Sequence, residues 1–145
     1  LDRFIGGTKI RLRQIRDPYT NESTRIVQKL FALGAETRLA EIHLDVGEYS
    51  LFERFVDAEI RKNRYFHEFD LVQFSIDVFL GPLQGLTLAR AEFEKREEAK
   101  NFVPPVFSVI ELTNEPFFSG DKLAHKSFAD VTSEIERLTG MPQGS

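Results

Sequence analysis

Cationic side chains recur at even spacings in several short segments of the chain. Residues two or four positions apart in a β-strand point to the same face of the sheet. Each such pair would therefore present two positive charges side by side. The planar guanidinium of arginine suits phosphate, because it can donate two parallel hydrogen bonds to it. The pairs that could form an anion-binding surface in this way are Arg11 with Arg13, Arg25 with Lys29, and Lys62 with Arg64.

Carboxylates occupy comparable positions in other segments. They are Glu41, Asp77, Glu92 and Glu94. Carboxylate oxygens are the ligands that Mg²⁺ and Mn²⁺ favour, and these ions bridge readily to phosphate oxygens. Polyphosphate chemistry requires this combination, in which cations bind the phosphates and carboxylates bind a divalent ion.

The elements that must position these groups are mostly strands. Residues 9–16, 24–31 and 38–44 alternate apolar and polar side chains, which predicts three antiparallel strands joined by short loops. Residues 47–55 place apolar side chains at helical spacing and predict a short helix on the sheet. Further strands are predicted at 60–67, 72–80, 86–93 and 106–112, and helices at 95–101, 121–128 and 130–138, the last beginning at Asp130 or Ser133.

Two arrangements of these strands are open. In the first, a flat antiparallel sheet turns its charged side to solvent. In the second, the sheet curls with the charged side inward, and helices cover the apolar side. Enclosed charges cost several kcal/mol per ion, so such a cavity must be wet, internally paired or built for a charged ligand.

Length and composition narrow the class of protein. The chain has 145 residues, enough for one domain, and its 41% hydrophobic and 29% charged residues are typical of globular proteins. With 19 basic and 23 acidic residues the net charge is −4, which argues against a nucleic-acid partner. The absence of cysteine excludes disulfides and thiolate zinc sites. No apolar run approaches the roughly 20 residues of a membrane span, and no signal peptide is visible, so we expect a cytoplasmic protein without a membrane partner.

Several segments, in their order and approximate spacing, resemble the CYTH domain, also called the triphosphate tunnel metalloenzyme family. The resemblance covers residues 1–124, and its most specific part is 77–92. The matching segments are TKIRLR at 8–13, RY at 64–65, IDVF at 76–79, GLTLARAEF at 85–93, ELTNEP at 111–116 and KLA at 122–124.

This resemblance implies an α+β fold, in which a strongly curved antiparallel sheet closes into a tunnel or open barrel with helices packed outside. Residues 1–128 would form the tunnel domain, and 129–145 a C-terminal helix and tail. The implied function is hydrolysis of a triphosphate compound (inorganic triphosphate, thiamine triphosphate or a nucleoside triphosphate), with Mg²⁺ or Mn²⁺ as cofactor.

The family's functional positions can be carried over residue by residue. The resemblance implies tunnel-lining cations that hold the triphosphate at Arg11, Arg13, Lys29, Lys62 and Arg64. It implies a metal-binding role for Glu92 and an acidic lining position for Asp77, while Glu41 corresponds to an acidic position on the third strand. No residue is assigned a catalytic role, and His43, which shares a face with Glu41, is open to either a general-base or a structural interpretation.

Two departures from the family pattern leave alternatives open. The family's opening E-x-E-x-K strand would lie before residue 1, and an exposed sheet edge there would invite pairing into a homodimer. Arg90 stands where the family has an acidic metal ligand, and it could bind phosphate directly or pair with Glu92. The alternative function is therefore a non-catalytic nucleotide or polyphosphate-binding module on the same fold. A carrier of apolar small molecules or a structural domain is disfavoured by the charged strand faces.

Overall fold

A computed structural model describes residues 1–93, 96–105, 108 and 110–140 of the chain. Its strands are β1 (Asp2–Ile5), β2 (Ile10–Arg16), β3 (Ser23–Leu33), β4 (Glu36–His43), β5 (Val56–Ile60), β6 (Lys62–Phe69), β7 (Val72–Phe79) and β8 (Thr87–Glu92). Its helices are α1 (Val46–Glu53), α2 (Arg96–Lys100), α3 (Gly120–Leu123) and α4 (Phe128–Thr139), with 3₁₀ turns at Gly81–Leu83 and Pro116–Phe118. The predicted α+β class with antiparallel sheets is confirmed. None of these helices is long and apolar enough to cross a membrane.

The chain divides into two compact units, Leu1–Arg61 and the residues from Lys62 onward. The first unit contains a five-stranded sheet in the order β4-β3-β2-β1-β5. The second contains a three-stranded sheet in the order β6-β7-β8. All neighbouring strands in both sheets are antiparallel. The domain boundary predicted at residue 128 stays a prediction.

In the first unit the predicted three-stranded meander is present as β2, β3 and β4. Two predictions about its surroundings are wrong. The sequence analysis missed β1, a strand of four residues that pairs with both β2 and β5. The single strand predicted at 60–67 is two strands that meet at Arg61, and β5 and β6 pair with different neighbours. The alternation of side chains runs through this junction, so only the hydrogen-bonding partners reveal the break.

Buried residues of the first unit lie on both faces of its sheet, and α1 covers one of these faces. Leu12 on β2 is fully buried, and Tyr49 of α1 is 2% exposed. Asp45 caps the start of α1 by accepting a hydrogen bond from the Glu48 amide, and the Glu48 side chain accepts one from the Asp45 amide. Leu51 of α1 is largely exposed, so fewer apolar residues of this helix are buried than the sequence predicts.

Phe74 and Phe79 of β7 are buried in the second unit, and so are Leu123 and Val131 of its later segments. Gly85 precedes β8 with φ of 110°, and a Cβ there would lie 2.9 Å from the ring of Phe128. Glycine thus permits both the turn and the close approach of the last helix.

The helices of the second unit depart from prediction at their ends. α2 lies within the predicted 95–101, and the helix predicted over 121–128 is the short α3, Gly120–Leu123. The last helix begins earlier than predicted, because Ser127 and Asp130 form a reciprocal capping box ahead of it. The strand predicted over 106–112 falls in part on Val106, Phe107 and Val109, which lie outside the described residues.

Candidate functional site

One carboxylate and two cations meet on the three-stranded sheet of the second unit. Arg64 on β6 and Asp77 on β7 are directly opposite each other. Arg64 donates hydrogen bonds from Nε to Oδ1 of Asp77 at 2.7 Å and from Nη2 to Oδ2 at 2.9 Å. Lys62 Nζ lies 2.8 Å from the same Oδ2. The structure therefore brings together three residues that the sequence analysis had selected, Lys62, Arg64 and Asp77.

The two cations of this cluster keep the Asp77 carboxylate ionised. Burial by itself would raise the pKa of Asp77, but hydrogen bonds from Arg64 and Lys62 outweigh burial and lower its pKa from 3.8 to about 2. The carboxylate is thus ionised at neutral pH and is contacted by two cations. The Asp77 side chain is 12% exposed and that of Arg64 is 32% exposed, so an anion can reach the guanidinium from solvent.

Further polar side chains continue along the same face of the sheet. Leu88, Arg90 and Glu92 lie opposite Asp77, Ser75 and Gln73 respectively, so β8 presents them on the Asp77 face as predicted. Ser75 is buried and donates a hydrogen bond from Oγ to Oε1 of Glu92 at 3.1 Å. Arg90 is exposed.

In the first unit Arg13 is neutralised within the sheet. It lies opposite Asp2 of β1 and donates from Nε to Oδ1 at 2.7 Å and from Nη2 to Oδ2 at 2.9 Å. Asp2 is 3% exposed. The sequence analysis missed Asp2 because it missed β1. Pairing the two segments across the Gly6-Gly7 turn would have placed Asp2 beside Arg13 and revealed the contact.

Arg11 belongs to a short hydrogen-bond chain on the same face. It donates from Nε to Oε1 of Gln28 at 2.6 Å, and the Gln28 amide donates to Glu41 Oε1 on β4. Gln28 is only 1% exposed. Glu41 thus lies on the face of Arg11 that the resemblance implied. The analysis missed Gln28 because it considered only charged side chains, although Gln28 alternates with Val27 along the strand.

Lys29 lies on the other face of the sheet from Arg11, and its role in binding phosphate stays a prediction. Lys29 lies opposite Ile10, and Val27 lies opposite Leu12. Because the side-chain period of a strand is two, Lys29 therefore shares the face of Leu12, whereas Gln28 shares the face of Arg11. Lys29 is exposed and does not belong to the hydrogen-bond chain of Arg11, Gln28 and Glu41.

The acidic residues expected to bind Mg²⁺ or Mn²⁺ are not assembled. Among the residues that the structure describes, no group of three or more His, Asp or Glu side chains could hold a metal ion. Asp77 is engaged by two cations. Glu92 lies opposite Gln73, four residues along β7 from Asp77, which separates the two positions by roughly 13 Å. These residues do not fit a shared divalent site, so no chemical step is assigned to a metal.

The fold is similar to that of two solved structures. One is a crystal structure of the hypothetical protein NE1496, with a TM-score of 0.58, 22% identity, and coverage of 87% of this chain and 82% of that chain. The other is a crystal structure of the inorganic triphosphatase NE1496, with a TM-score of 0.58, 21% identity, and coverage of 85% and 79%. No protein-family model and no curated protein sequence matches the chain. At this level of identity the likeness shows a similar fold and no more.

Proposed function

We propose that this chain binds triphosphate compounds through the cationic faces of its sheets and hydrolyses them. The observation that carries the proposal is the convergence of Lys62 and Arg64 on the single carboxylate of Asp77. The likeness in fold to a protein described as an inorganic triphosphatase supports it. Closure of the charged faces into a tunnel is part of the proposal.

The two cations have different parts in binding. Asp77 holds the Arg64 guanidinium in a fixed orientation, so little side-chain entropy would be lost when Arg64 binds a phosphate group. Lys62 supplies a compact charge close to the ring of Phe79, with Nζ 5.6 Å from the ring centroid. Two positive side chains at one point of the sheet would attract a phosphate group.

In the proposed reaction, water attacks the terminal phosphorus of the triphosphate. A bond forms from the water oxygen to phosphorus, and the bond from phosphorus to the bridging oxygen breaks. For inorganic triphosphate the products are orthophosphate and diphosphate, and the protons of the attacking water pass to the products and solvent. Lys62 and Arg64 would stabilise the negative charge that develops on the bridging oxygen. No general base is assigned.

A non-catalytic polyphosphate-binding module is the second candidate. Arg90 on the Asp77 face, together with the absence of an assembled carboxylate cluster among the described residues, favours this candidate. Both candidates require the same cationic site, and they differ only in turnover.

Titration calorimetry with inorganic triphosphate, combined with an assay for phosphate release, tests the proposal. Both measurements should be made with and without Mg²⁺ or Mn²⁺, and repeated with thiamine triphosphate and a nucleoside triphosphate. The informative variant is Arg64→Gln, which removes one cation and leaves Lys62 on Asp77. The matched control is Arg38→Gln, because Arg38 is exposed on β4 and forms an ion pair with its neighbour Glu36.

Binding and turnover that fall in Arg64→Gln and persist in Arg38→Gln would support the enzyme. Binding with the same dependence on Arg64 but without phosphate release would support the module. If the unmodified chain binds none of the three compounds, both candidates are wrong.

A further inference from the structure

A second concave site lies at the far end of the three-stranded sheet, away from the Asp77 cluster. A cavity of about 650 Å³ opens beside the turn between β6 and β7, the end of β8 and the segment that follows α2. Small-molecule sites in proteins commonly occupy roughly 300–1,000 Å³, so this volume suits a small organic ligand.

Aromatic rings form much of the wall of this cavity. Phe69, Phe93 and Phe102 line it. The Phe93 and Phe102 rings meet edge to face with centroids 5.1 Å apart, and Phe102 lies 6.1 Å from the buried ring of Phe74. The wall is therefore anchored in the core of the second unit. The faces of such rings attract cations, which interact with the negative face of the ring quadrupole.

Acidic side chains supply the charged groups that line the cavity. Its lining includes the carboxylates of Asp70, Glu92 and Glu98 and the amide of Asn101, and no Lys, Arg or His is among the described residues that line it. Glu92 is held in place by the hydrogen bond from Ser75. A site with three carboxylates and aromatic walls is complementary to a cation with an apolar body.

The positions of the carboxylates indicate which kind of cation the cavity would bind. Within the described part of the chain, no three acidic side chains converge on a point that could hold a metal ion. The negative charge is instead distributed around an apolar surface. A matching ligand would carry its positive charges at separate points, joined by apolar atoms.

We propose that this cavity binds a linear aliphatic polyamine. Its ammonium groups would lie against the carboxylates of Asp70, Glu92 and Glu98, and its methylene segments would pack on the phenylalanine rings. This proposal does not depend on the proposed triphosphatase function, because none of the cations of the Asp77 cluster lines the cavity.

The test is titration calorimetry of the whole chain with spermidine, in a buffer of low ionic strength without phosphate. Glu98→Gln removes one lining carboxylate, and Glu97→Gln removes its exposed neighbour on α2, which does not line the cavity. Phe69→Leu removes one ring from a partly exposed position, so folding should be retained. We expect spermidine affinity to fall about two- to fivefold in Glu98→Gln and Phe69→Leu, and to stay unchanged in Glu97→Gln.

Three outcomes would overturn the proposal. The first is no binding of spermidine by the unmodified chain. The second is an equal loss of affinity in Glu97→Gln and Glu98→Gln, which would show general attraction to a chain with net charge −4. The third is complete displacement of spermidine by MgCl₂, when NaCl at the same ionic strength leaves spermidine bound. That result would show a simple counterion site.

Discussion

Asp2 and Arg13 form an ion pair across β1 and β2, with two parallel hydrogen bonds of 2.7 and 2.9 Å. Arg64 makes the same two contacts with Asp77, but there Lys62 adds a second cation. Two arginines that look alike in the sequence therefore differ in their surroundings, because a second cation contacts the carboxylate that Arg64 meets. The proposed phosphate contacts centre on Lys62 and Arg64 because two positively charged side chains meet there.

The first prediction concerns the stability of the Asp2 pair. Asp2→Asn should lower the free energy of unfolding by roughly 2–4 kcal/mol, because it leaves the charge of a mostly buried guanidinium without its partner. Urea unfolding followed by circular dichroism measures this. Glu22→Gln, at an exposed turn position, is the control and should change stability by less than about 0.5 kcal/mol. Equal effects of the two substitutions would show that the pair contributes nothing specific.

The second prediction concerns acid stability. The pKa of Asp77 is lowered from 3.8 to about 2, so its ionised form is favoured in the folded state. The resulting stabilisation is fully present above pH 4 and is lost as the pH falls towards 2. We expect it to amount to about 1–2 kcal/mol after solvent screening.

Urea midpoints measured from pH 7 to pH 2 check this prediction. The difference in stability between the unmodified chain and Asp77→Asn should shrink between pH 4 and pH 2, since protonation then makes the two alike in charge. A difference that stays constant across this range would contradict the assigned pKa.

The third prediction concerns Gln28, which connects Arg11 to Glu41. Gln28→Met keeps the volume of the side chain but removes both hydrogen bonds. It should destabilise the fold by about 1–3 kcal/mol, because polar groups are left unsatisfied beside a buried position. Gln14→Met is the matched control, since Gln14 lies on β2 opposite Arg25 and on the other face of the sheet. Thermal unfolding of both variants would distinguish a specific role of Gln28 from the general effect of the substitution.

The fourth prediction concerns backbone strain in the turn between β6 and β7. Asp70 and Leu71 both have positive φ, 50° and 63°, in a two-residue turn closed by Phe69 and Val72. Asp-Gly and Asn-Gly are the sequences that favour this backbone conformation. Leu71 is 92% exposed, so side-chain packing does not account for a leucine there. Leu71→Gly should therefore stabilise the fold by up to about 1 kcal/mol.

Leu33→Gly provides the contrast. Leu33 is an exposed residue at the end of β3, and its φ is not among the positive values. Glycine there should destabilise the fold by about 0.5–1 kcal/mol, through the greater entropy of the unfolded chain. Opposite signs for the two substitutions, measured by urea unfolding, are the expected result, and equal signs would contradict the strain argument.

Much of the fold was predictable because it depends on local patterns. The alternation in β2, β3 and β4 predicted the meander, and the alternation in β8 placed Arg90 and Glu92 on one face. The predictions failed where a strand was too short to show a pattern, or where one pattern continued across the boundary between two strands. β1 has only four residues, and the pattern through Arg61 continues although the strands on either side of it pair with different neighbours. The early start of α4 was missed because Asp130 takes the capping-box position more often held by Glu or Gln.

By itself, the sequence determined that the residue pairs Arg11 with Arg13 and Lys62 with Arg64 each share a sheet face. The reason is that the two-residue period of a strand is a property of the local backbone. Only the tertiary structure decided which partner each cation meets, and that Gln28 rather than Lys29 faces Arg11. These partners lie 11 to 17 residues apart in the chain, and their meeting depends on strand register, which is set by hydrogen bonds between distant segments.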